Sequence, residues 1–519
     1  MPVYTYDQIA DQLTTGYWNG SQRAFDTGPD NTLYIDITGL TSEGQSMALQ
    51  ALEAWTMVTG ITFVEVDSDS APANTISEAA DAPATTSTPY TMAIGDDFLG
   101  TLASGSDRDN IGVTLTAGQT ITIKLTGEGS GGTSDPYLWL QNSSGTIVAQ
   151  NDDAVGLDSA LTYQVTTSGT YYIQAGSFNN AHPGDYRVSV REDGQIADIV
   201  FDDENSGAFA SSSVVGGEIQ SSYVNISPTF AGGSARTDGY FFQTYLHEIG
   251  HALGLGHAGN YNGEGTYGVD NDYDNDSWQA SVMSYFHQTE NTTIDASFAY
   301  VITPQVADIL AAQALYGIPE TNLGDTTYGD GSNTGTFIDA ALSASNPVSF
   351  TVVDTGGTDT FDFSSYSSHQ TLDLREESFS DLAGLTGNIG IARGTVIENG
   401  RTGTGNDTLI GNDADNTLSA GFGTDMINGG AGHDALRGGS GNDILEGDVG
   451  FDFIEGGTGN NSIDGGSGGD LLIGDDVTLD MLAVIYPTWT PPANAQTLLN
   501  DGDYGLLWAD ILEDQGLLA

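Results

Sequence analysis

HEIGHALGLGHAG, residues 247–259, gathers three histidines in a chain that holds seven in all. Read as a helix, His247 and His251 stand four residues apart and project from one face, close enough to grip a single ion. Glu248 comes beside them, placed to address a water on that ion rather than the ion itself. Gly254 has no Cβ, so it can take a left-handed conformation, end the helix and turn the chain back. That turn brings His257 round as a third ligand. Three protein ligands and an open position is the catalytic arrangement for zinc, whereas structural zinc sites are closed by four. H-E-x-x-H alone recurs by chance and also fits an ordinary buried helix; the extended H-E-x-x-H-x-x-G-x-x-H is far more restrictive. The chemistry it points to is hydrolysis of a peptide bond. Zinc lowers the pKa of a bound water from about 15.7 towards about 7, and Glu248 takes the proton and passes it to the leaving amine.

The bulk properties narrow the setting. At 519 residues the chain is too long for one ordinary core, and 38% apolar content supports folded domains. Acidic residues number 71 against 10 basic ones, a formal net charge of −61. Such a surface repels nucleic acid and anionic membrane, so neither is expected as a partner. It also repels itself unless cations neutralise it; a salty habitat accounts for part of the excess, and its clustering points to bound divalent metal. No cysteine is present, which excludes disulfides and thiolate zinc sites. The opening MPVYTYDQIADQL has neither the basic nor the apolar segment of a secretory signal peptide, and no apolar run is long enough to span a bilayer.

Along the chain the patterning changes several times. LYIDITG alternates as a strand, and TSEGQSMALQALEAWTMVTG follows as an amphipathic helix with Ser42 and Gln45 as a capping box and Gly60 as its stop. ITFVEV (61–66) is a strand. Residues 70–90 are rich in Ser, Thr, Ala and Pro and read as a linker, and short alternating segments over 90–192, separated by Gly, Asn and Asp turns, read as a β-sandwich. ADIVFDD then returns to strand, and the simplest topology makes 61–66 and 197–202 neighbours in one sheet with the sandwich inserted between them. TPQVADILAAQALYG (303–317) is a further helix.

From residue 402 a nine-residue period runs for eight copies to Ile473, most cleanly in GGAGHDALR (429–437) and GGSGNDILE (438–446). Position six is Asp407, Asn416, Asp425, Asp434, Asp443, Asp452, Asn461 and Asp470, and position eight is always Leu or Ile. G-G-x-G-x-D-x-U-x is the calcium-binding repeat of a parallel β-roll: glycine turns expose carbonyls, position six supplies a carboxylate, and position eight fills a thin core. Calcium wants six or more oxygens and sits between turns stacked on one side, so copies two apart share a site, as Asp425 with Asp443 and Asp434 with Asp452. Asn416 and Asn461 weaken theirs. A flexible glycine linker would not keep Leu or Ile at every ninth place.

SVMSYF (281–286) follows the histidine motif at the distance where a methionine turn floors the metal. With these residues the chain resembles the serralysins, metzincin zinc endopeptidases, outside its inserted segment. The resemblance implies that Tyr285, two places after Met283, is an extra zinc ligand that swings away when substrate binds and hydrogen-bonds the developing oxyanion. One departure is Ala258, where serralysins usually carry Pro after the third histidine. The stretches DTGGTDTFDFSSY (354–366) and IENGRTGTGND (397–407) resemble non-repeat calcium sites of the family, giving Asp354, Gly356, Gly357, Asp359, Glu398, Gly403, Gly405 and Asp407 as ligands; LGDTTYG (323–329) does so more loosely. The resemblance also implies export unfolded through a type I secretion apparatus by an uncleaved C-terminal signal, although the last residues depart from the family's usual ending. SDPYLWLQNSSGTIVAQNDD and SGTYYIQAGS resemble the pre-peptidase C-terminal domain of secreted peptidases, which usually lies at chain ends; Asp152 and Asp153 there are a calcium site or, more simply, a solvated turn.

The expectation is therefore a multidomain chain: an α/β (α+β) metzincin zinc-peptidase domain (1–75 and 194–320) interrupted by an all-β sandwich (76–193), then a parallel β-roll (321–475) and a secretion-signal region (476–519). It would act, as a secreted monomer, on proteins and peptides, with one catalytic Zn2+ and several structural Ca2+. Substrate would lie extended along SGAFASSS (206–213), unless that strand is a mere structural edge. The rival reading is a non-catalytic, calcium-folded surface or matrix protein; a narrow processing peptidase is a second enzymatic alternative.

Overall fold

The computed structural model describes the chain except for residues 67–72, 129–130, 153–158, 193–196, 231–235, 342–344, 475–481, 483–484, 487–488, 497, 499–503 and 516–519. Asp153 and the last four residues thus lie outside the described part.

The catalytic-motif region is built on one sheet. Its strands run in the order Thr62–Glu65, Thr32–Gly39, Ile199–Asp202 and Glu218–Ile226, all parallel, and Ala208–Val215 pairs antiparallel with Glu218–Ile226 as an outer edge. This corrects one expectation: 61–66 and 197–202 are not neighbours, because Thr32–Gly39 lies between them. The reason is the short crossover through helix Ser42–Thr59, which returns the chain beside the strand it left and leaves only that strand's other edge for Ile199–Asp202. The cap of that helix also differs from expectation. Thr41 Oγ1 accepts from the Gly44 N–H at 3.3 Å, Ser42 is already helical, and the Gln45 amide instead donates to the carbonyls of Ile37 and Leu40. Gly60 does end it, in the left-handed region at φ 67°.

Helix Ser42–Thr59 buries Met47, Ala51, Trp55 and Val58 against helix Tyr240–Ala252, and the Trp55 indole donates to the Leu246 carbonyl at 3.1 Å. One contiguous core joins these helices to Val306–Tyr316 and runs on into the first turns of the C-terminal half. Between Thr62–Glu65 and Ile199–Asp202 the chain makes two five-stranded sheets with a separate core of Phe98, Ile111, Ile123, Leu138, Ile173 and Val188.

In the repeats every strand is three residues long and pairs in parallel with the strand eighteen residues on. Thr408 stands beside Met426, Ile444 and Ser462 in one sheet, and Thr417 beside Ala435, Phe453 and Leu471 in the other. Two nonapeptides thus make one full turn. Leu409, Leu418, Ile427, Leu436, Leu445 and Ile454 are buried between the sheets, whereas Leu472 in the last copy is 46% exposed. The tail helix Tyr504–Asp514 lays Leu507, Trp508, Ile511 and Leu512 against Ala435, Phe453 and Ile473, and the Trp508 indole donates to the Phe451 carbonyl at 2.8 Å. No described helix is long and apolar enough to cross a membrane.

Candidate metal centre and active site

Helix Tyr240–Ala252 places His247 and His251 one turn apart, and it stops just before Gly254. Gly254 sits at φ 102°, and a Cβ there would meet the Arg23 carbonyl oxygen at 2.1 Å, so no other residue fits this turn without moving the chain. The turn delivers His257 with its Nε2 3.0 Å from His251 Nε2. One ring nitrogen from each of His247, His251 and His257 lies within 4.8 Å of the others.

The opposite ring nitrogens explain why these three face inward. His247 Nδ1 lies 2.9 Å from the Val282 carbonyl and His251 Nδ1 2.8 Å from the Leu255 carbonyl. A carbonyl only accepts, so both Nδ1 atoms carry the hydrogen and both Nε2 atoms keep a lone pair. His257 Nδ1 meets the Tyr17 hydroxyl at 3.2 Å. Burial holds the imidazoles neutral: it lowers His247 to about 4 and His251 to about 3, and pushes His257 lower still, with the neighbouring imidazoles adding to the effect for the last two. Neutral nitrogens with their outer hydrogens tied to protein acceptors are the donor set that zinc takes. The residues present therefore fit a metal.

Beneath them, the methionine turn is pinned from two sides. Met283 is fully buried, and a Cβ on Gly250 would meet its sulfur at 2.6 Å, so the helix and the turn touch through this glycine. Asp308 accepts from Ser281 Oγ at 2.6 Å and from the Val282 N–H at 2.7 Å, and Asp276 accepts from Ser284 Oγ at 2.6 Å. Both carboxyls are buried, which raises Asp308 to about 6 and Asp276 to about 7.

The space above the imidazoles is an open cleft of about 700 Å3, lined by Tyr17, Arg23, Ala210, Glu248, His257 and Tyr285 among others. Glu248 Oε2 is buried with no hydrogen-bond partner, and burial raises this carboxyl to about 8 against one backbone hydrogen bond from Ala210. A carboxyl with one oxygen held by the backbone and the other free of donors among the described residues, lining a cleft, is placed for general-base work. Tyr285 stands edge-on to His257 with ring centroids 4.6 Å apart, and its hydroxyl accepts from the Gly263 N–H at 3.1 Å. The strand Ala208–Val215 borders this cleft and, among the described residues, has no partner strand beyond Glu218–Ile226.

Sequence reasoning missed Tyr17, Asp276 and Asp308. Tyr17 reaches His257 from 240 residues away, and a Cβ on Gly256 would strike its Cβ at 2.4 Å and its ring at 2.5 Å, so the fit is tertiary and leaves no local signal.

In the C-terminal half the position-six side chains line up in two stacks. The Asp407 N–H donates to Asp425 Oδ1 at 2.7 Å, Asp425 to Asp443 at 3.0 Å, Asp434 to Asp452 at 3.0 Å, and Asp452 to Asp470 at 3.1 Å. The second oxygen of Asp407, Asp425, Asp434, Asp443 and Asp452 is buried without a hydrogen-bond partner among the described residues. Burial and the neighbouring carboxylates raise Asp434 to about 8 and Asp425 and Asp452 to about 6. Such orphaned oxygens beside exposed glycine carbonyls suit a hard cation. Gly403, Gly405 and Asp407 share the turn at the head of one stack: a Cβ on Gly403 would meet the Tyr366 carbonyl at 2.1 Å, and one on Gly405 would meet Asp407 Oδ1 at 2.1 Å. Asp354, Asp359 and Glu398 form a separate group, with Gly356 donating to Asp354 Oδ1 at 3.2 Å, Asp359 donating to Glu398 Oε2 at 2.7 Å, and Gly357 in the left-handed region. Their mutual repulsion adds to burial in raising Asp359 to about 7.

Comparison with known proteins adds an independent line. Residues 187–310 match the model of the reprolysin-like metallopeptidase family M12B, residues 319–483 that of the peptidase M10 serralysin C-terminal region, and residues 107–177 that of the bacterial pre-peptidase C-terminal domain. A serralysin of Photorhabdus luminescens is 47% identical over 197 residues, 37% of this chain and 40% of the relative. Serralysin B of Dickeya chrysanthemi is 49% identical over 178 residues, 34% and 37% of the two chains, and the metalloprotease AprA of Pseudomonas entomophila 46% over 208 residues, 38% and 41%. The chain thus spans about two fifths of the length of the curated relatives it matches. Among solved structures, the pre-peptidase C-terminal domain of a Bacillus anthracis collagenase overlaps 20% of this chain and 93% of its own at 20% identity and a TM-score of 0.17, too low to carry an argument.

Proposed function

We infer that this chain, a member of the serralysin family, is a secreted zinc metalloendopeptidase that hydrolyses peptide bonds of extracellular proteins. One observation carries the reading: three neutral imidazoles converge on a point, and Glu248, whose Oε2 has no partner among the described residues, stands in the same cleft. His247, His251 and His257 would hold the zinc, with Tyr285 as a further ligand in the resting enzyme. Zinc held there supplies the electrophile, acidifying a water and polarising the substrate carbonyl.

The chain's own residues do the rest. An extended peptide adds to the free edge of Ala208–Val215, whose main-chain groups hold its backbone without regard to side chain. Glu248 accepts the proton of the attacking water and hands it to the leaving amine. Tyr285, released from its resting position, donates its hydroxyl to the oxyanion. Val282, Leu255 and Tyr17 hold the imidazole tautomers, and Asp276 and Asp308 keep the turn beneath them rigid.

The proposal extends to the architecture: a metzincin domain over 1–75 and 194–320, a β-sandwich over 76–193, a β-roll of nonapeptide repeats over 321–475 and a secretion-signal region over 476–519. In the roll, Asp407, Asp425, Asp434, Asp443, Asp452 and Asp470 take calcium with glycine carbonyls, Gly403 and Gly405 among them, and Asp354, Gly356, Gly357, Asp359 and Glu398 serve a site before the repeats. The enzyme would pass a type I channel unfolded and fold as a monomer where calcium is plentiful. Casein clearing by wild type beside Glu248→Ala tests the catalytic reading. The variant should lose about 10²–10⁴-fold in kcat while binding zinc normally, and equal clearing by both proteins would refute it.

A further inference from the structure

Arg23 is one of only ten basic residues in this chain. Most of the others are drawn to acids: Arg187 and Arg191 share Asp97, Arg236 takes Asp238, Arg375 takes Asp373, Arg393 bridges Asp7 and Glu377, Arg401 takes Asp362 and Arg437 takes Glu455, while Arg108, outside the cleft, lies over Trp139 and donates to the Asn180 side chain. Arg23 has no ion pair among the described residues. Its guanidinium carbon lies over the Trp18 ring, 3.7 Å from the centroid, and the Trp18 indole is itself anchored to the Gly254 carbonyl at 2.8 Å. The Arg23 main chain is equally fixed, since its carbonyl abuts Gly254 in the turn that carries His257. A half-buried arginine is thus built rigidly into the wall of the catalytic cleft, with one face stacked and its N–H edges available. The only other charged side chains lining that cleft, among the described residues, are Glu248 and Glu264.

Its place along the cleft can be read from the sheet. Glu248 meets the cleft at Ala210, near the start of the edge strand. Arg23 precedes Ala24, which pairs with Glu218 on one side, and Glu218 pairs on its other side with Val215 at the end of that strand, so Arg23 stands level with that end, two strands in from the edge. A peptide lying antiparallel to Ala208–Val215 therefore runs its N-terminal residues towards Arg23. The field of a chain carrying −61 charges repels acidic peptides, so an acidic residue is accepted only where a local cation receives it.

We propose that Arg23 is a specificity-determining residue that receives an aspartate or glutamate side chain of the substrate on the N-terminal side of the cleaved bond. The inference rests on the peptidase reading above, and its test is arranged to separate the two. Fluorogenic peptides differing only in Glu against Gln, scanned through three positions on either side of the cleaved bond, are given to the zinc- and calcium-loaded full chain. One N-terminal-side position should show about a tenfold higher kcat/KM for Glu, the size of one well-formed charge-assisted contact. Arg23→Gln should bring that ratio to about one, Arg23→Lys should keep part of it, and Arg23→Glu should turn the preference to Lys, which a merely structural residue would not do. The same peptides, labelled, are titrated against Glu248→Ala with and without Arg23→Gln. Acid-dependent binding that needs Arg23, with no cleavage by wild type, would remove the peptidase reading and leave the acidic subsite. Equal binding and cleavage of Glu and Gln peptides, a ratio unmoved by Arg23→Gln, or an acid preference confined to the C-terminal side would overturn it.

Discussion

The histidine cleft and the repeat both aim unpaired atoms at a shared point, yet they do so in opposite charge states. In the cleft the converging groups are neutral imidazoles, and each outer nitrogen already has a protein partner in Val282, Leu255 or Tyr17. Such a constellation repels itself only weakly, so ordinary packing can assemble it before any metal arrives. In the repeat the converging groups are carboxylates, five of them with a buried oxygen that none of the described residues satisfies. Each further turn adds like charge to a core only two short sheets thick. On the function proposed above, the difference means that one centre is prepared for its ion by the fold, while the other would need its ions in order to fold.

The largest expected effect follows from that contrast. Stripping calcium from the full chain should abolish the sheet signal and protease resistance of residues 402–473, because each site filled at a hundred times its Kd contributes about 2.7 kcal/mol that vanishes with the ion. Stripping zinc alone should leave helix Tyr240–Ala252 protected, since Trp55, Phe242 and Ile249 hold it without metal. Hydrogen exchange on the two stripped proteins measures both. If zinc loss exposes that helix as widely as calcium loss exposes the repeat, the two centres do not differ in kind.

A second test sharpens the contrast through pH. Without metal, burial lifts Asp434 from its ordinary 3.8 to about 8, and Asp425 and Asp452 to about 6. The folded repeat then binds more protons than the unfolded one between pH 4 and 8, so its stability is greatest in acid and falls as pH rises through that window. In chelator the repeat, unfolded near pH 8, should therefore regain a melting transition that climbs on acidification towards pH 5, each kcal/mol recovered being worth about 4–8 °C in a unit of this size. With calcium present the dependence should reverse, as protons compete with the ion for the same oxygens. A chelated repeat that melts lower at pH 5 than at pH 8 would show that carboxylate repulsion is not what limits it.

The same contrast explains how much could be read from sequence. The repeat's partners are set by its period: residue eighteen onward is the hydrogen-bonded neighbour, as Asp425 and Asp443 prove, so a purely local pattern carries the whole arrangement. The spacing of His247, His251, Gly254 and His257 is legible for a related reason, because a helix turn and a glycine stop decide where those side chains point. What the spacing does not carry is the support behind them. Asp276 and Asp308 look like any surface acid until the turn at Ser281–Ser284 folds over them. The order of strands escaped because either edge of Thr32–Gly39 satisfies the same hydrophobic pattern, and the crossover helix decides which is used. The tail read as an export signal, yet Trp508 and Ile511 also close the side of the repeat.

The smallest effect probes how far the cleft is prepared in advance. Tyr17 contributes its hydroxyl to His257 Nδ1 at 3.2 Å, and its ring packs against Gly256, so Tyr17→Phe removes the polar contact and keeps the packing. His257 then loses the partner that fixes its orientation, whereas His247 and His251 keep their carbonyls. Partners behind a metal-bound histidine are typically worth about 10–100-fold in affinity, and the longer contact here places the loss near the lower end. Competition with a zinc-binding dye measures it directly, and the melting temperature of the metal-free protein should stay unchanged. An unaltered zinc affinity would mean that the turn at Gly254 alone orients the third imidazole, and that the N-terminal segment serves the cleft only as its wall.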